Sequence, residues 1–257
     1  MDVCARFHPS PLGRSLKFVQ VSSSRPATAD GTVAGVATTH VVVVEGHVLL
    51  AESLTLALAE RGLTTSALGL PFGTADPAAL LKPILALHPS VVLLNPDLGP
   101  TGDGMVLVGP LRRAGCPVVV VTAAEDRSRW GEALALGAHS TLPESAGLDQ
   151  VLEALRRATA GEPMMDDVLR LELVQYWRGQ QLRNERNRAR LDLLTPRERE
   201  VLALLAAGKR VRDIARHFQV SEATVRTQVK SVLSKMRVNS QIAAIAITRE
   251  LGWRLPS

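Results

Sequence analysis

From His40 onward the apolar positions alternate between short solid runs and amphipathic stretches. Residues 41–44, 91–94 and 118–121 are four-residue blocks of Val and Leu bounded by Gly, Pro or Asn. Blocks that short, and apolar at every position, predict strands of a parallel sheet covered on both faces. Residues 63–68 and 140–142 are weaker strand candidates. Helical periodicity marks residues 48–61, 75–87, 105–114, 128–136 and 148–160. Five strand–helix repeats predict an α/β domain over residues 38–160 built on a doubly wound, five-stranded parallel sheet. Such sheets gather functional side chains at the carboxyl ends of their strands.

Outside that block the pattern changes twice. Residues 1–37 are rich in Ser, Pro, Thr and Gly without a sustained period, which predicts a disordered tail. Residues 161–192 carry Leu169, Leu173, Tyr176 and Trp177 at helical spacing, then Arg183, Glu185, Arg186, Arg188 and Arg190, and read as a linker helix with one apolar face. Residues 193–257 predict a small all-helical domain. Thr195, Pro196 and Glu198 form a helix start, Gly208 a stop and Ser221 a second cap. Val225, Val229, Val232, Leu233 and Met236 then share one face of a helix whose opposite face holds Ala223, Thr227, Lys230 and Ser234.

Charge sharpens this division. The whole chain is +5, with 30 Lys and Arg against 25 Asp and Glu. Residues 38–160 contain eight basic and twelve acidic side chains, whereas residues 193–257 contain twelve basic and five acidic. An acidic α/β body followed by a basic helical module suits a regulatory part joined to a nucleic-acid-binding part. No apolar run is long enough to span a bilayer and no signal peptide is recognisable, so no membrane partner and a cytoplasmic location are expected. Cys4 and Cys116 are far apart and lack metal-ligand neighbours. No metal or cofactor is expected, and no phosphate-binding loop or nucleophile elbow points to an enzyme.

The string from Leu194 to Leu202, with Gly208, Ile214-Ala215, residues 220–227, Val229, Leu233 and Lys235-Met236, resembles the LuxR-type helix-turn-helix. With the α/β domain before it, the chain resembles a NarL/FixJ-type two-component response regulator. The resemblance implies that the helix from Glu222 is a recognition helix and that the helix near residues 240–251 supports dimerisation. Double-stranded DNA with a pseudo-palindromic promoter site is the implied partner, and a homodimer the implied state. Arg226, Thr227 and Lys230 match positions that reach base edges, and Thr224, Lys235 and Arg212 are assigned to phosphates. Position 228 holds Gln where the family often has His.

The α/β domain departs from the family at its chemistry. A phosphorylatable receiver needs an Asp after the third strand, two acids after the first to hold Mg²⁺, a hydroxyl after the fourth and a Lys after the fifth. Here those places hold Asn95, the pair Glu45 and Gly46, Thr122, and Glu144. A slip of register would offer Asp97 as acceptor, but it would put Pro96 inside the strand end. The expectation is an atypical receiver acting without aspartyl phosphorylation. Dimerisation, a small ligand or a protein partner at the former pocket would then supply its input. A partner-docking protein whose basic domain only adds affinity is the alternative.

Overall fold

The computed structural model describes residues 17–21, 39–69, 76–123 and 126–254. The chain divides into two compact units, Met1–Trp177 and Arg178–Ser257.

In the first unit the elements are β1 (Lys17–Val21), β2 (His40–Val44), α1 (Val48–Glu60), β3 (Thr64–Gly69), α2 (Leu81–Ala86), β4 (Val91–Leu94) and α3 (Val108–Arg113). They continue with β5 (Val118–Thr122), α4 (Arg127–Leu136), β6 (Ser140–Pro143) and α5 (Leu148–Ala160). The sheet order is β1-β3-β2-β4-β5-β6. Strands β2 to β6 are parallel, as expected. Their apolar blocks split by alternation: Val42, Val44, Val92, Leu94, Val118 and Val120 pack toward α2, α3 and α4. Val41, Val43, Val91, Leu93 and Val119 pack toward α1 and α5. Both faces are covered, which is why β2, β4 and β5 carry no polar position in their middle, while β3 and β6 place Thr65, Ser66 and Thr141 there.

Two expectations need correction. The five parallel strands stand as expected, and a sixth, antiparallel strand joins their edge because residues 17–21 of the tail expected to be disordered pair with β3. The free edge of β3 offers unpaired backbone groups, and the β-prone Lys-Phe-Val-Gln-Val segment satisfies them. The rest of residues 1–37 lies outside the described residues. The helices expected over 75–87 and 105–114 are each split into a 3₁₀ turn followed by a short α-helix, Pro77–Leu80 then α2, and Gly104–Leu107 then α3. Pro83 and Pro110 explain both splits. Neither has the N–H that would bond back to residue 79 or 106, so the α-helical ladder starts late.

A 26-residue helix, α6 (Asp167–Asp192), follows, and the division between units falls inside it after Trp177. Its first half belongs to the α/β unit. Of the apolar face predicted there, Leu173 is buried, Trp177 is half-buried, and Leu169 and Tyr176 remain exposed. The contact is made instead through two residues without obvious pattern. Arg170 donates to the carbonyls of Ala138 and His139 at 2.9 and 3.1 Å, just past the end of α4. Gly131 in α4 lets the α6 backbone approach so closely that a Cβ there would collide with the Leu173 carbonyl oxygen and lie 2.8 Å from Trp177 Cβ.

The second unit holds α7 (Pro196–Ala206), α8 (Val211–Phe218), α9 (Glu222–Met236) and α10 (Gln241–Glu250). Thr195 caps α7 with a reciprocal box to Glu198, and Ser221 and Ser240 cap α9 and α10. Val201, Leu205, Ile214, Val225 and Val229 form one core, and Leu191, Leu194, Leu202, Val232 and Met236 the next. Among the described residues no helix is long and apolar enough to cross a membrane.

Two glycine substitutions are expected to move stability in opposite directions. Gly131→Ala forces α4 and α6 apart and costs about 1–3 kcal/mol. Gly179→Ala, in the second half of α6 with open space around the new methyl, gains up to about 1 kcal/mol from helix propensity. Thermal denaturation of the full chain should therefore give a lower midpoint for the first variant and a slightly higher one for the second.

Candidate functional site

Two surfaces carry polar chemistry. The first is the outer face of α9. Val225, Val229, Val232 and Met236 turn inward, and this fixes what points out. Thr224, Arg226, Thr227 and Lys230 are all exposed, as the helical period predicts. Arg226 Nη2 pairs with Glu222 Oε2 one turn back at 2.9 Å, and Thr227 Oγ1 donates to the Ala223 carbonyl at 3.1 Å. Thr224 Oγ1 lies 2.9 Å from Ser221 Oγ. Lys230 makes no ion pair or hydrogen bond among the described residues. Arg212, at the start of α8, is exposed and only loosely paired, 3.8 Å from Asp213. Gln228 is half-buried, and its Oε1 lacks a hydrogen-bond partner.

Lys235 sits differently from the other cations. Its Nζ donates to Glu198 Oε2 at 2.7 Å, and Ser231 Oγ donates to Glu198 Oε1 at 2.6 Å. The Thr195 backbone N–H completes the set at 2.8 Å. Glu198 is buried, with 7% of its surface exposed. Burial pushes its carboxyl pKa upward, but Lys235, Ser231 and Thr195 together outweigh this and bring it from 4.5 down to about 2. The sequence offered Glu198 only as a capping residue. Its second role rests on partners 33 and 37 residues away, which no local pattern reveals.

The second surface is the carboxyl edge of the sheet. Glu45 follows β2, Asn95 follows β4, Thr122 ends β5 and Glu144 follows β6. The fold thus brings together the residues assigned to the pocket. Asn95 N–H donates to the Val44 carbonyl at 2.9 Å, which fixes the register and leaves Asp97 three residues beyond the strand. Asn95 Nδ2 donates to Glu45 Oε2 at 2.8 Å and to Glu144 Oε1 at 2.9 Å, while its Oδ1 accepts from Asp97 N–H at 3.0 Å. Both amide protons and the carbonyl are therefore engaged, and a flipped amide would set its oxygen against two carboxylates. Glu45 is 4% exposed and also accepts from His47 N–H at 2.9 Å.

Gly46 is held where a Cβ would stand 2.7 Å from the Asp97 carbonyl oxygen. A second acid cannot enter there without moving backbone. Outside this triad, Asp103 and Arg129 form a two-pronged ion pair at 2.9 Å on both prongs, across a cleft of about 620 Å³ that Asn95, Thr122 and Glu144 also line. Burial raises the Asp103 carboxyl pKa, but Arg129 and the Met105 N–H lower it more, so it stays ionised. The sequence reading missed this pair, which joins residues 26 apart through the loop after β4. Chemically, the edge has an amide where a phosphorylatable receiver needs a nucleophile, and a carboxylate where it needs a cation.

A receiver-like α/β unit and a compact helix-turn-helix unit in one chain define a two-domain DNA-binding regulator. Residues 192–248 match the family model described as bacterial regulatory proteins, luxR family. The nitrate/nitrite response regulator protein NarL of Escherichia coli (strain K12) is 31% identical over 161 residues, spanning 62% of this chain and 73% of that protein. The uncharacterized transcriptional regulatory protein YvfU of Bacillus subtilis (strain 168) is 27% identical over 175 residues, 67% of this chain and 80% of that one. RcsB from Salmonella enterica serovar Typhimurium, solved bound to promoter rprA, aligns over 82% of this chain and 98% of its own at 20% identity and a TM-score of 0.43. The chain belongs to the NarL-type response regulators, which are DNA-binding transcription regulators with a LuxR-type helix-turn-helix.

Acid titration should expose the Glu198 network. A carboxyl whose folded pKa lies below its unfolded value stabilises fully above about pH 4.5, and that contribution fades as the pH falls toward 2. Glu198→Gln should cost about 2 kcal/mol at pH 7 and flatten the loss between pH 4.5 and 2, read by denaturant unfolding. Asn95→Asp has the opposite sign. A third carboxylate beside Glu45 and Glu144 carries a raised pKa, so its penalty is absent at low pH and grows as the pH rises. The gap in melting temperature between this variant and the parent should widen from pH 5 to pH 8.

Proposed function

We propose that this protein regulates transcription as a homodimer on pseudo-palindromic promoter DNA in the cytoplasm, and that its receiver-like unit acts without aspartyl phosphorylation. The observation that carries the second half is the Asn95 amide, hydrogen-bonded to both Glu45 and Glu144 at the place of the phosphate acceptor. An amide is no nucleophile for phosphorus, and Glu144 repels the phosphoryl oxygens that a lysine would bind. Gly46 supplies no carboxylate for Mg²⁺, and the close Asp97 backbone leaves no space for one.

In this reading α9 lies in the major groove. Arg226, Thr227 and Lys230 contact base edges, while Thr224 and Arg212 hold phosphates. Lys235 keeps one N–H on Glu198 and, being one third exposed, presents the others to a phosphate. The exposure of all three base-contact side chains on a helix packed through its opposite face supports this. Dimerisation through α10 is supported by Ile242, a large apolar side chain left 81% exposed there.

Genomic footprinting of the full-length protein, followed by binding measurements on a recovered site, tests both halves. Lys230→Ala should lose about 1–3 kcal/mol of affinity for that site at matched salt. Incubation with acetyl phosphate and Mg²⁺ should add no phosphoryl mass and leave the affinity unchanged. A phosphoryl adduct, or a Lys230→Ala protein that binds like the parent, would overturn the corresponding half.

A further inference from the structure

The second half of α6 belongs to the same compact unit as α9. It carries Arg178, Arg183, Arg186, Arg188 and Arg190 against Glu185 before the helix closes on Asp192. At 100° per residue, Arg183, Arg186 and Arg190 fall within about 60° of one another, while Arg178 and Arg188 lie off that face. They form a stripe about 10 Å long at 1.5 Å per residue. Leu191, one residue further, points away from that stripe into the core and is 2% exposed. Arg178, Arg183, Arg186 and Arg188 are exposed and make no ion pair among the described residues. Arg190 has only the neutral Asn187 Oδ1, at 3.2 Å.

This arrangement is unfavourable in the isolated helix. Arg183 and Arg186 are like charges at i,i+3, and Arg186 and Arg190 at i,i+4, each costing a few tenths of a kcal/mol. Some arginines elsewhere in the chain find carboxylates, Arg61 with Asp149, Arg156 with Glu153 and Glu162, and Arg197 with Glu200, while Arg113, Arg237 and Arg249 stand singly without an ion pair among the described residues; the α6 stripe differs in stacking three on one face. The stripe is also tied to the reading head, because Leu191 and Leu194 pack against Val232 and Met236 of α9 in one core. Its place relative to α9 is thus set by packed side chains.

Resting on the DNA-binding reading, we propose that the α6 arginine stripe is a second, sequence-independent DNA contact that grips phosphates beside the site α9 reads. A duplex carries one negative charge per about 1.7 Å of axis, so a 10 Å stripe meets several phosphates. Guanidinium forks suit phosphate oxygens, and the polyanion removes the repulsion within the stripe. None of the three arginines reads a base. Their effect is on affinity and on its salt dependence.

The test uses full-length protein and a labelled 40-base-pair duplex of arbitrary sequence, with binding followed by fluorescence anisotropy from 50 to 200 mM salt. Each phosphate contact contributes about 0.9 to the slope of log affinity against log salt. R183Q/R186Q/R190Q should therefore lower the slope by about 2 to 3 and weaken binding at least tenfold at 100 mM salt. R183K/R186K/R190K keeps the charge and should retain most of the slope, which separates lost contacts from a misfolded helix. R61Q/R113Q/R127Q removes the same charge from the α/β unit and should leave the slope unchanged. If the stripe variant keeps the parent's slope, or both glutamine triples lower it equally, the inference fails while the DNA-binding reading stands. If the parent protein does not bind the duplex at 50 mM salt, both fail.

Discussion

Parallel pairing in register brings the ends of β2, β4, β5 and β6 to one edge, and the character of that edge depends on the side chain that follows each strand. Asn95 is the central one. Its amide bridges buried Glu45 and exposed Glu144, two carboxylates that would otherwise face each other across the strand ends. Remove those two N–H groups and Glu45 keeps the His47 N–H but loses its donor on Oε2, a cost of about 1–3 kcal/mol. The substitutions at this edge are therefore coupled. Exposed Glu144 accepts from Asn95, and Asn95 is oriented because Glu45, Glu144 and the Asp97 N–H occupy all its hydrogen-bonding atoms. A single reversion at any of these places would not recover a phosphate pocket, since the closeness of Gly46 to the Asp97 backbone is a property of the loop rather than of one side chain.

The helical unit follows the same rule with the signs arranged differently. Glu198 is a buried anion that binds the start of α7 to the second half of α9 through Thr195, Ser231 and Lys235. The apolar face of α9, Val225, Val229, Val232 and Met236, already decides which side turns inward. A carboxylate with three donors at 2.6–2.8 Å adds a directional tie between the two helices. Together they hold outward the face that carries Arg226, Thr227 and Lys230.

Much of this was legible in the sequence because it depends on period. The five parallel strands, the caps at Thr195 and Ser221 and the inward and outward faces of α9 all follow from residue type and spacing, and the departures at Asn95 and Glu144 stand out once the resemblance to receivers is set beside them. What was not legible depends on pairs distant in sequence or on absent atoms. Glu198 with Lys235 and Asp103 with Arg129 join separate elements. Gly131 matters through the methyl it lacks, and residues 17–21 were unreadable as a strand because an edge strand needs a neighbour's free backbone more than a pattern of its own. On α6 the apolar spacing of Leu169, Leu173 and Tyr176 misled, since only Leu173 is buried and Arg170 makes the directional contact.

If α9 reads DNA as proposed, the cations around it differ in what they must give up to meet it. Lys235 is committed: leaving Glu198 would strand a buried carboxylate, so it contributes through the N–H groups it does not use there. Arg226 is held by Glu222 in an exposed i,i+4 pair, worth about 0.3–0.5 kcal/mol. A two-pronged contact to a guanine is worth about 1–3 kcal/mol of discrimination, so exchanging Glu222 for a base is favourable only when the base is the right one. Glu222 then acts as a competitor that weak or mismatched contacts fail to displace. Lys230 has no such partner to lose among the described residues, so its proposed contact to a base edge displaces no ion pair. On the proposed reading the two cations differ in their free-state pairing: Lys230 reaches its base edge without giving up a partner, and Arg226 makes its contact only where the gain exceeds what Glu222 already provides.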